Sequence, residues 1–439
     1  MKRSYKVLSL GLMMTACGLM NPVMGQTQDS VSMNLDNVLS VALSDNPDIQ
    51  IANRTIEIKK YAKKETLTGL FPTVDFTLAG MRGVIIPEAN LGGMKIKMGT
   101  EKSYTWSGTA TLPLVAPQLW QSLKISQSSV ELSLEQARSS KISTLSAVKK
   151  AFFQLLLARD SYEVLKNSYD LADENLTVTR NKYKFDKVAE YDTLVAYVQK
   201  VNIEPDMLSM KNTLKLAELQ LKVLMGVDAN EPIRFEGHLK DYEEKLFNDL
   251  MLLKEEDSLD QNSSLVQIDL QKQQLVLSER LNKLGYIPTV ALQFSMNRSY
   301  SGFMGYATTA NLTLALNWTI FDGLSKYMKT KQNKLSIQNL EQQREYIKQQ
   351  LEMSISSSLN TIETSAEQVV VGKSAIYASE RAYEINAKRY EIGSGTQLEM
   401  NSSANALQQS QLQYVQAIYN FVSAQATLEE TLGKIVTDK

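Results

Sequence analysis

The apolar positions of this chain recur every seven residues over an unusual length. Between 118 and 185 there is neither Pro nor Gly. Val148, Leu155, Tyr162, Tyr169 and Leu176 are spaced by seven, and Ala151, Ala158, Leu165 and Ala172 follow the first four by three. This is an a/d seam with small residues at d, which suits close pairing of helices. At about 1.5 Å per residue the helix would run about 100 Å, too far for an ordinary globular core. Residues 324–392 predict a second long helix. Residues 190–226 and 397–432 predict helices that return along the first two, the earlier one bent at Pro205. A shorter helix is expected over 34–68, broken near Asn46-Pro47.

Four segments alternate with period two instead. Residues 103–114 place Tyr104, Trp106, Ala110, Leu112 and Leu114 against Thr105, Ser107, Thr109 and Thr111. Residues 308–320 place Ala310, Leu312, Leu314, Leu316, Trp318 and Ile320 against Thr309, Asn311, Thr313, Ala315, Asn317 and Thr319. Shorter copies lie at 72–82, with Val74, Phe76 and Leu78, and at 288–297, with Val290, Leu292, Phe294 and Met296. One face of Leu, Phe and Trp opposite one face of small polar groups fits a barrel with lipid outside and water inside. It also fits a soluble sandwich with one wet face, since periodicity does not separate the two. Tyr104, Trp106, Phe303, Tyr306 and Trp318 near the strand ends favour the membrane.

The elements come twice. A shift of 216 lays Asn46, Gly69, Pro72, Thr73 and Val74 on Asn262, Gly285, Pro288, Thr289 and Val290. A shift of 207 lays Tyr183 on Tyr390, Asp192 on Glu399, Leu221 on Leu428 and Gly226 on Gly433. Each half must build the same unit of helix, strand pair, long helix and return helix. The repeats are expected over 26–226 and 259–439, joined by 227–258.

The N-terminus changes the picture of where this happens. Lys2, Arg3 and Lys6 precede an apolar run from Val7 to Met20, which is too short to span a bilayer. Residues 1–25 are expected to be an export signal cut after Gly25. Lipid attachment at Cys17 is the second reading, ranked lower because Met14 is a poor residue three places before a lipidated Cys. A net charge of −1 gives no basic footprint for nucleic acid. With one His and one Cys, no nucleophile–base arrangement and no metal set can be assembled, so neither an enzyme nor a cofactor is expected. Four strands do not close a barrel, and lipid tolerates no open sheet edge, so the chain must associate through its strands.

These features together resemble the TolC family of outer-membrane efflux proteins over essentially the whole chain. The marks are the duplicated plan, Trp318-Thr319-Ile320-Phe321-Asp322-Gly323, and Arg389-Tyr390-Glu391-Ile392-Gly393-Ser394-Gly395 followed by Glu399. The resemblance implies a mainly α protein with membrane β. It implies a homotrimer whose twelve-stranded barrel crosses the outer membrane above a long helical periplasmic tunnel, with 227–258 in a belt around the tunnel. It implies an exit duct for efflux or type I secretion, fed by a periplasmic membrane-fusion adaptor and an inner-membrane pump. Trp106, Leu112, Phe294, Leu312, Leu314, Leu316 and Trp318 would then face lipid.

By the same resemblance Asp192, Tyr390 and Glu399 would stand at a periplasmic gate. A second acidic position of the family falls on Ser402, and the Arg that often follows the turn is Gly395 here. The turns Phe185-Asp186-Lys187-Val188-Ala189 and Ile392-Gly393-Ser394-Gly395-Thr396 would meet the adaptor. Asp192 and Glu399 read equally well as acids favoured in a helix's first turn, and Gly393 as an ordinary turn glycine. The competing readings of the whole chain are a periplasmic coiled-coil adaptor and a helical structural protein without a barrel. An adaptor should show one hairpin and a Gly-rich β domain, whereas two hairpins are predicted.

Overall fold

The computed structural model describes residues 31–92, 94–97, 99–243, 259–302 and 305–433. The signal segment with Cys17, 244–258 of the joining segment, and Phe303 lie outside the described residues.

The first half begins with strand β1 (Val31–Met33), helix α1 (Leu35–Asp45) and helix α2 (Pro47–Thr68). Strands β2 (Thr73–Arg82) and β5 (Lys102–Val115) flank a small hairpin, β3 (Glu88–Leu91) and β4 (Met94–Lys97). Helix α3 (Pro117–Lys184) follows, then α4 (Glu190–Met225) and β6 (Ile233–Phe235). The second half repeats the plan with α5 (Ser263–Leu284), β7 (Thr289–Ser301), β8 (Gly305–Asn317), α6 (Ser325–Glu391) and α7 (Gln397–Leu432).

The repeat is physical as well as sequential. Asn46 sits between α1 and α2 and bends the chain there. Its Oδ1 accepts from the N–H groups of Asp48 and Ile49, capping α2, and its Nδ2 donates to the Leu224 carbonyl at 2.7 Å. Asn262 does the same one repeat later. It caps α5 through Ser264 N–H and donates to the Thr431 carbonyl at 2.6 Å. Each return helix is thereby tied to the start of its own unit. Gly226 and Gly433 close α4 and α7 with φ of +79° and +71°. A Cβ at Gly226 would fall 2.3 Å from the Asp45 carbonyl oxygen, so only glycine fits that crossing.

The seam residues are buried. Val148, Ala151, Leu155, Ala158, Leu165, Ala172 and Leu176 are all inside, while Tyr162 and Tyr169 are half-buried. Around them Phe152, Leu156, Val38, Leu221, Met225, Ile418 and Phe421 form the core where α1, α3, α4 and α7 meet. Burying each large side chain contributes roughly 1.5–3 kcal/mol. Helix α6 is different. Leu335, Tyr346, Met353, Val371 and Tyr377 lie uncovered along it.

The joining segment wraps back onto the helices. β6 pairs in parallel with β1. Arg159 donates to the Phe235 and Gly237 carbonyls at 2.7 and 3.0 Å. Tyr414 donates to Glu243 at 2.8 Å, and Lys373 pairs with the same carboxylate.

Several elements depart from expectation. β8 ends at Asn317 rather than Ile320, because Gly323 and Leu324 both take left-handed φ, +65° and +67°, and turn the chain into α6. For the same reason α6 starts at Ser325. α3 ends at Lys184 because Asp186 has φ +56°. β7 runs four residues past 297, to Ser301. Pro205 does not divide α4, although its missing N–H leaves the Val201 carbonyl without its helical donor. The loop 82–103 contains the β3–β4 hairpin, turned by Gly92 at φ +63°.

Candidate functional site

The four long strands form one antiparallel sheet in the order β2-β5-β7-β8. The pairing brings like residues into rows. Thr73, Thr111, Gln293 and Thr313 are in register, as are Asp75, Thr109, Ser295 and Asn311, and then Thr77, Ser107, Asn297 and Thr309. One residue along, the rows read Phe76, Gly108, Met296 and Ala310, then Val74, Ala110, Phe294 and Leu312, and then Leu112, Leu292 and Leu314. Since side chains alternate faces, these rows make one side of the sheet polar and the other apolar over this stretch. The apolar side is uncovered in the single chain, with Leu312, Leu314 and Leu316 exposed. The outer ladders of β2 and β8 have no partner strand among the described residues.

Two expected members of this face sit differently. Trp318 lies beyond β8, where its Nε1–H donates to the Tyr286 carbonyl at 3.0 Å and pins the strand end to the end of α5. Leu114 falls in an irregularity where Pro113 and Val115 face Ala291 and Val290, so the alternation breaks there. Trp106, Leu112, Phe294, Leu312, Leu314 and Leu316 share the apolar face in register.

At the opposite end of the long helices lie the two turns. They obey the 207 shift in conformation: Asp186 and Gly393 are both left-handed. Ala189 and Thr396 are both helix N-caps, and only Thr396 has a side-chain acceptor to offer. Phe185 and Ile392 point into solvent. So do Tyr191 and Leu398, a second pair at the same repeat position. A Cβ at Gly395 would come within 2.9 Å of the Arg389 Cβ and 3.1 Å of the Tyr390 nitrogen. The tight turn, closed by Ser394 and Gly395 N–H groups on the Arg389 carbonyl, therefore leaves no room for an arginine there.

The two acids serve as caps. Asp192 accepts from Ala189 N–H at 3.2 Å. Glu399 accepts from Thr396 N–H at 3.0 Å while Thr396 Oγ1 accepts from Glu399 N–H at 3.2 Å, a reciprocal box. The Thr396 N–H, and then Arg389, hold the Glu399 carboxyl below the usual carboxylate range.

Tyr390 is buried between the helices. Its hydroxyl meets Thr179 Oγ1 at 3.0 Å, and Thr179 is fully enclosed, with Gln397 Oε1 at 3.4 Å. Lys182 Nζ donates to the Tyr390 carbonyl at 2.6 Å and stands 4.1 Å from the centre of its ring. Burial pushes the Tyr390 phenol up, against the hydrogen bond with Thr179, and the Asp192 charge adds to the rise. Burial lowers the Lys182 ammonium.

A sequence model of the outer membrane efflux protein family matches residues 38–227 and 256–434. The chain belongs to the outer membrane efflux protein family. Solved structures show the same fold at low identity. The CmeC outer membrane channel of Campylobacter jejuni superposes with a TM-score of 0.73 at 15% identity, covering 91% of this chain and 85% of that one. VceC of Vibrio cholerae gives 0.72 at 12%, covering 91% and 96%. The open state of the MtrE outer membrane channel of Neisseria gonorrhoeae gives 0.72 at 16%, covering 91% and 89%. A comparison with curated proteins finds no match.

The CmeC and MtrE proteins are outer membrane channels. The contacts of Thr179 and Lys182 with Tyr390, and of Gln397 with Thr179, have no signal in the sequence. Spacing along one helix does not say which residue of another helix it meets. The Tyr191–Leu398 pair did carry a signal, the 207 shift itself. A group of metal-type donors, Asp160, Glu163 and His238, gathers within 4.8 Å in the joining region. Asp160 directs one oxygen to His238 Nδ1 at 2.8 Å and the other to Leu239 N–H at 2.9 Å, so it fastens 238–239 to α3. No described helix is long and apolar enough to cross a membrane.

Proposed function

We propose that three copies of this chain form an exit duct that carries substrates from a periplasmic adaptor and an inner-membrane pump across the outer membrane. The observation that carries this reading is the sheet. It is apolar on one side, polar on the other, and has two edges without a partner strand among the described residues. An apolar face open to water and two free edges are unfavourable in a monomer. Pairing β8 of one copy with β2 of the next satisfies both edges and closes twelve strands, with Leu312, Leu314 and Leu316 toward lipid and Thr313 and Asn311 toward the lumen. The uncovered side chains of α6 would be covered by the neighbouring copy.

In this arrangement α3, α4, α6 and α7 extend the lumen into the periplasm. Asp192, Tyr390 and Glu399 stand at its mouth, and the turns at 185–189 and 392–396 present Phe185, Ile392, Tyr191 and Leu398 to the adaptor. Residues 1–25 act as the export signal. The test is conductance in planar bilayers with single cysteines. A charged thiol reagent should reduce the current of Thr313→Cys and leave Leu314→Cys unchanged. Block of Leu314→Cys alone would invert the faces, and absence of any conductance would overturn the duct.

A further inference from the structure

The apolar face changes character at the end of the sheet near the hairpin loops. The row of Gly80, Tyr104, Tyr300 and Tyr306 is aromatic, and the row beside it holds Leu78, Trp106, Arg298 and Thr308. Tyr104 stacks on Tyr300 at 6.4 Å, Tyr300 meets Tyr306 at 4.9 Å, and Trp106 stacks on Tyr306 at 6.3 Å. The Arg298 guanidinium lies 4.9 Å from the Tyr306 ring centre. Arg82 and Lys102 are paired in register just beyond, and strand parity puts both on the same face as Tyr104.

Three cations on a face of this kind need an explanation. Arg298 is the only charged residue between 289 and 320. No carboxylate pairs with Arg298 or Lys102 among the described residues. Arg82 reaches Glu101 at 3.9 Å, with both side chains largely in solvent, a pair of little strength. With Glu101 beside them, Arg82, Lys102 and Arg298 give the described side chains at this end two net positive charges in a chain whose total is −1. An Arg facing hydrocarbon costs about 2–4 kcal/mol at mid-membrane and about 0–1 near the interface. Arg298 is eight residues beyond Val290, roughly 26 Å along the strand at about 3.3 Å per residue. That places it in the upper part of an apolar band about 25 Å tall once the strand tilts.

We propose that Arg82, Lys102 and Arg298, set around the Tyr104–Trp106–Tyr300–Tyr306 rings, bind the phosphate groups of outer-leaflet lipid. The rings fix the depth of the barrel, as amphipathic side chains do at a membrane boundary. The guanidinium groups offer forked donors that match phosphate oxygens. Arg298 and Lys102 are about four residues apart along the strand direction, roughly 13 Å, so they meet separate phosphates. The inference rests on the duct reading, which turns the hairpin end outward and the apolar face to lipid.

The experiment uses the full chain in nanodiscs of phosphatidylcholine doped with either phosphorylated lipopolysaccharide or the same glycolipid stripped of phosphate. Native mass spectrometry reads the lipid that stays bound. The wild type should retain the phosphorylated form in preference, on the order of tenfold, and Arg82→Gln/Lys102→Gln/Arg298→Gln should lose that preference. Equal retention of the two glycolipids by an intact, conducting wild-type trimer would overturn the proposal, and so would an undiminished preference in the triple variant. If the variant does not assemble, the wild-type comparison alone decides. A wild type that forms no trimer and no current contradicts the duct reading instead.

Discussion

Lys182 and Tyr390, 208 residues apart in the chain, are joined twice, by a 2.6 Å hydrogen bond to the Tyr390 carbonyl and by a cation–ring contact at 4.1 Å. With Thr179 on the Tyr390 hydroxyl, they fasten the last turn of α3 to the last turn of α6. If the mouth of the duct opens by parting these helices, the contacts hold it shut. A neutral hydrogen bond contributes about 1 kcal/mol and one to a charged group about 1.5–3 kcal/mol. Thr179→Val with Lys182→Met should therefore raise single-channel conductance in bilayers while assembly is kept. Unchanged conductance with intact assembly would show that the mouth does not depend on this fastening.

Asp192 and Glu399 would bring six carboxylates to one aperture in a trimer. Crowded like charges draw cations toward the opening. Asp192→Asn with Glu399→Gln should weaken cation selectivity and block by multivalent cations in bilayer recordings. Both acids cap helices at a position where an amide oxygen can also accept the cap N–H, so folding and assembly should barely change. Glu399 is held below the usual carboxylate range, so selectivity that depends on it should persist into mild acid. Unaltered selectivity in the double variant leaves the two acids as caps alone.

His238 is raised above its ordinary value, first by its hydrogen bond to Asp160, with Glu163 and Asp241 adding to the rise against the effect of burial. A raised folded-state value means the imidazolium's contribution is complete below about pH 6.5 and is lost as pH climbs through the raised value. Limited proteolysis within 236–243 should therefore speed up as pH rises. In His238→Gln the cleavage rate should follow only the protease's own pH profile. Wild-type and variant profiles that coincide would remove the histidine from this role.

The asparagines of the two repeats should be the most sensitive polar positions. Asn46 and Asn262 are buried, and each both caps a helix and holds a return helix. Replacing either by Ala leaves buried N–H and C=O groups without partners, at about 1–3 kcal/mol per site. Urea unfolding should show similar losses for Asn46→Ala and Asn262→Ala. A loss at one site alone would mean that the two units do not use the cap alike.

These asparagines also show what a sequence discloses. Their alignment under a single shift was visible, because both repeats need the same local cap. The seam was visible because burial follows helical period, and the sheet because its faces follow period two. Where the expectation failed, the cause was a backbone state that side-chain pattern does not encode. Trp318, Thr319 and Ile320 keep the strand's alternation, yet Gly323 and Leu324 turn left-handed and end the pairing at Asn317. Leu114 keeps it too and lies in an irregularity. The Lys182–Tyr390 contact was hidden for another reason, since it depends on which helix packs against which.

In the proposed duct the sheet is one third of a closed barrel. Its most direct test is the protein mass of the particle extracted in mild detergent, measured by light scattering with the detergent contribution subtracted. The account predicts three chains of full-length or signal-cleaved mass in one particle. A monodisperse monomer that stays soluble without detergent would contradict it.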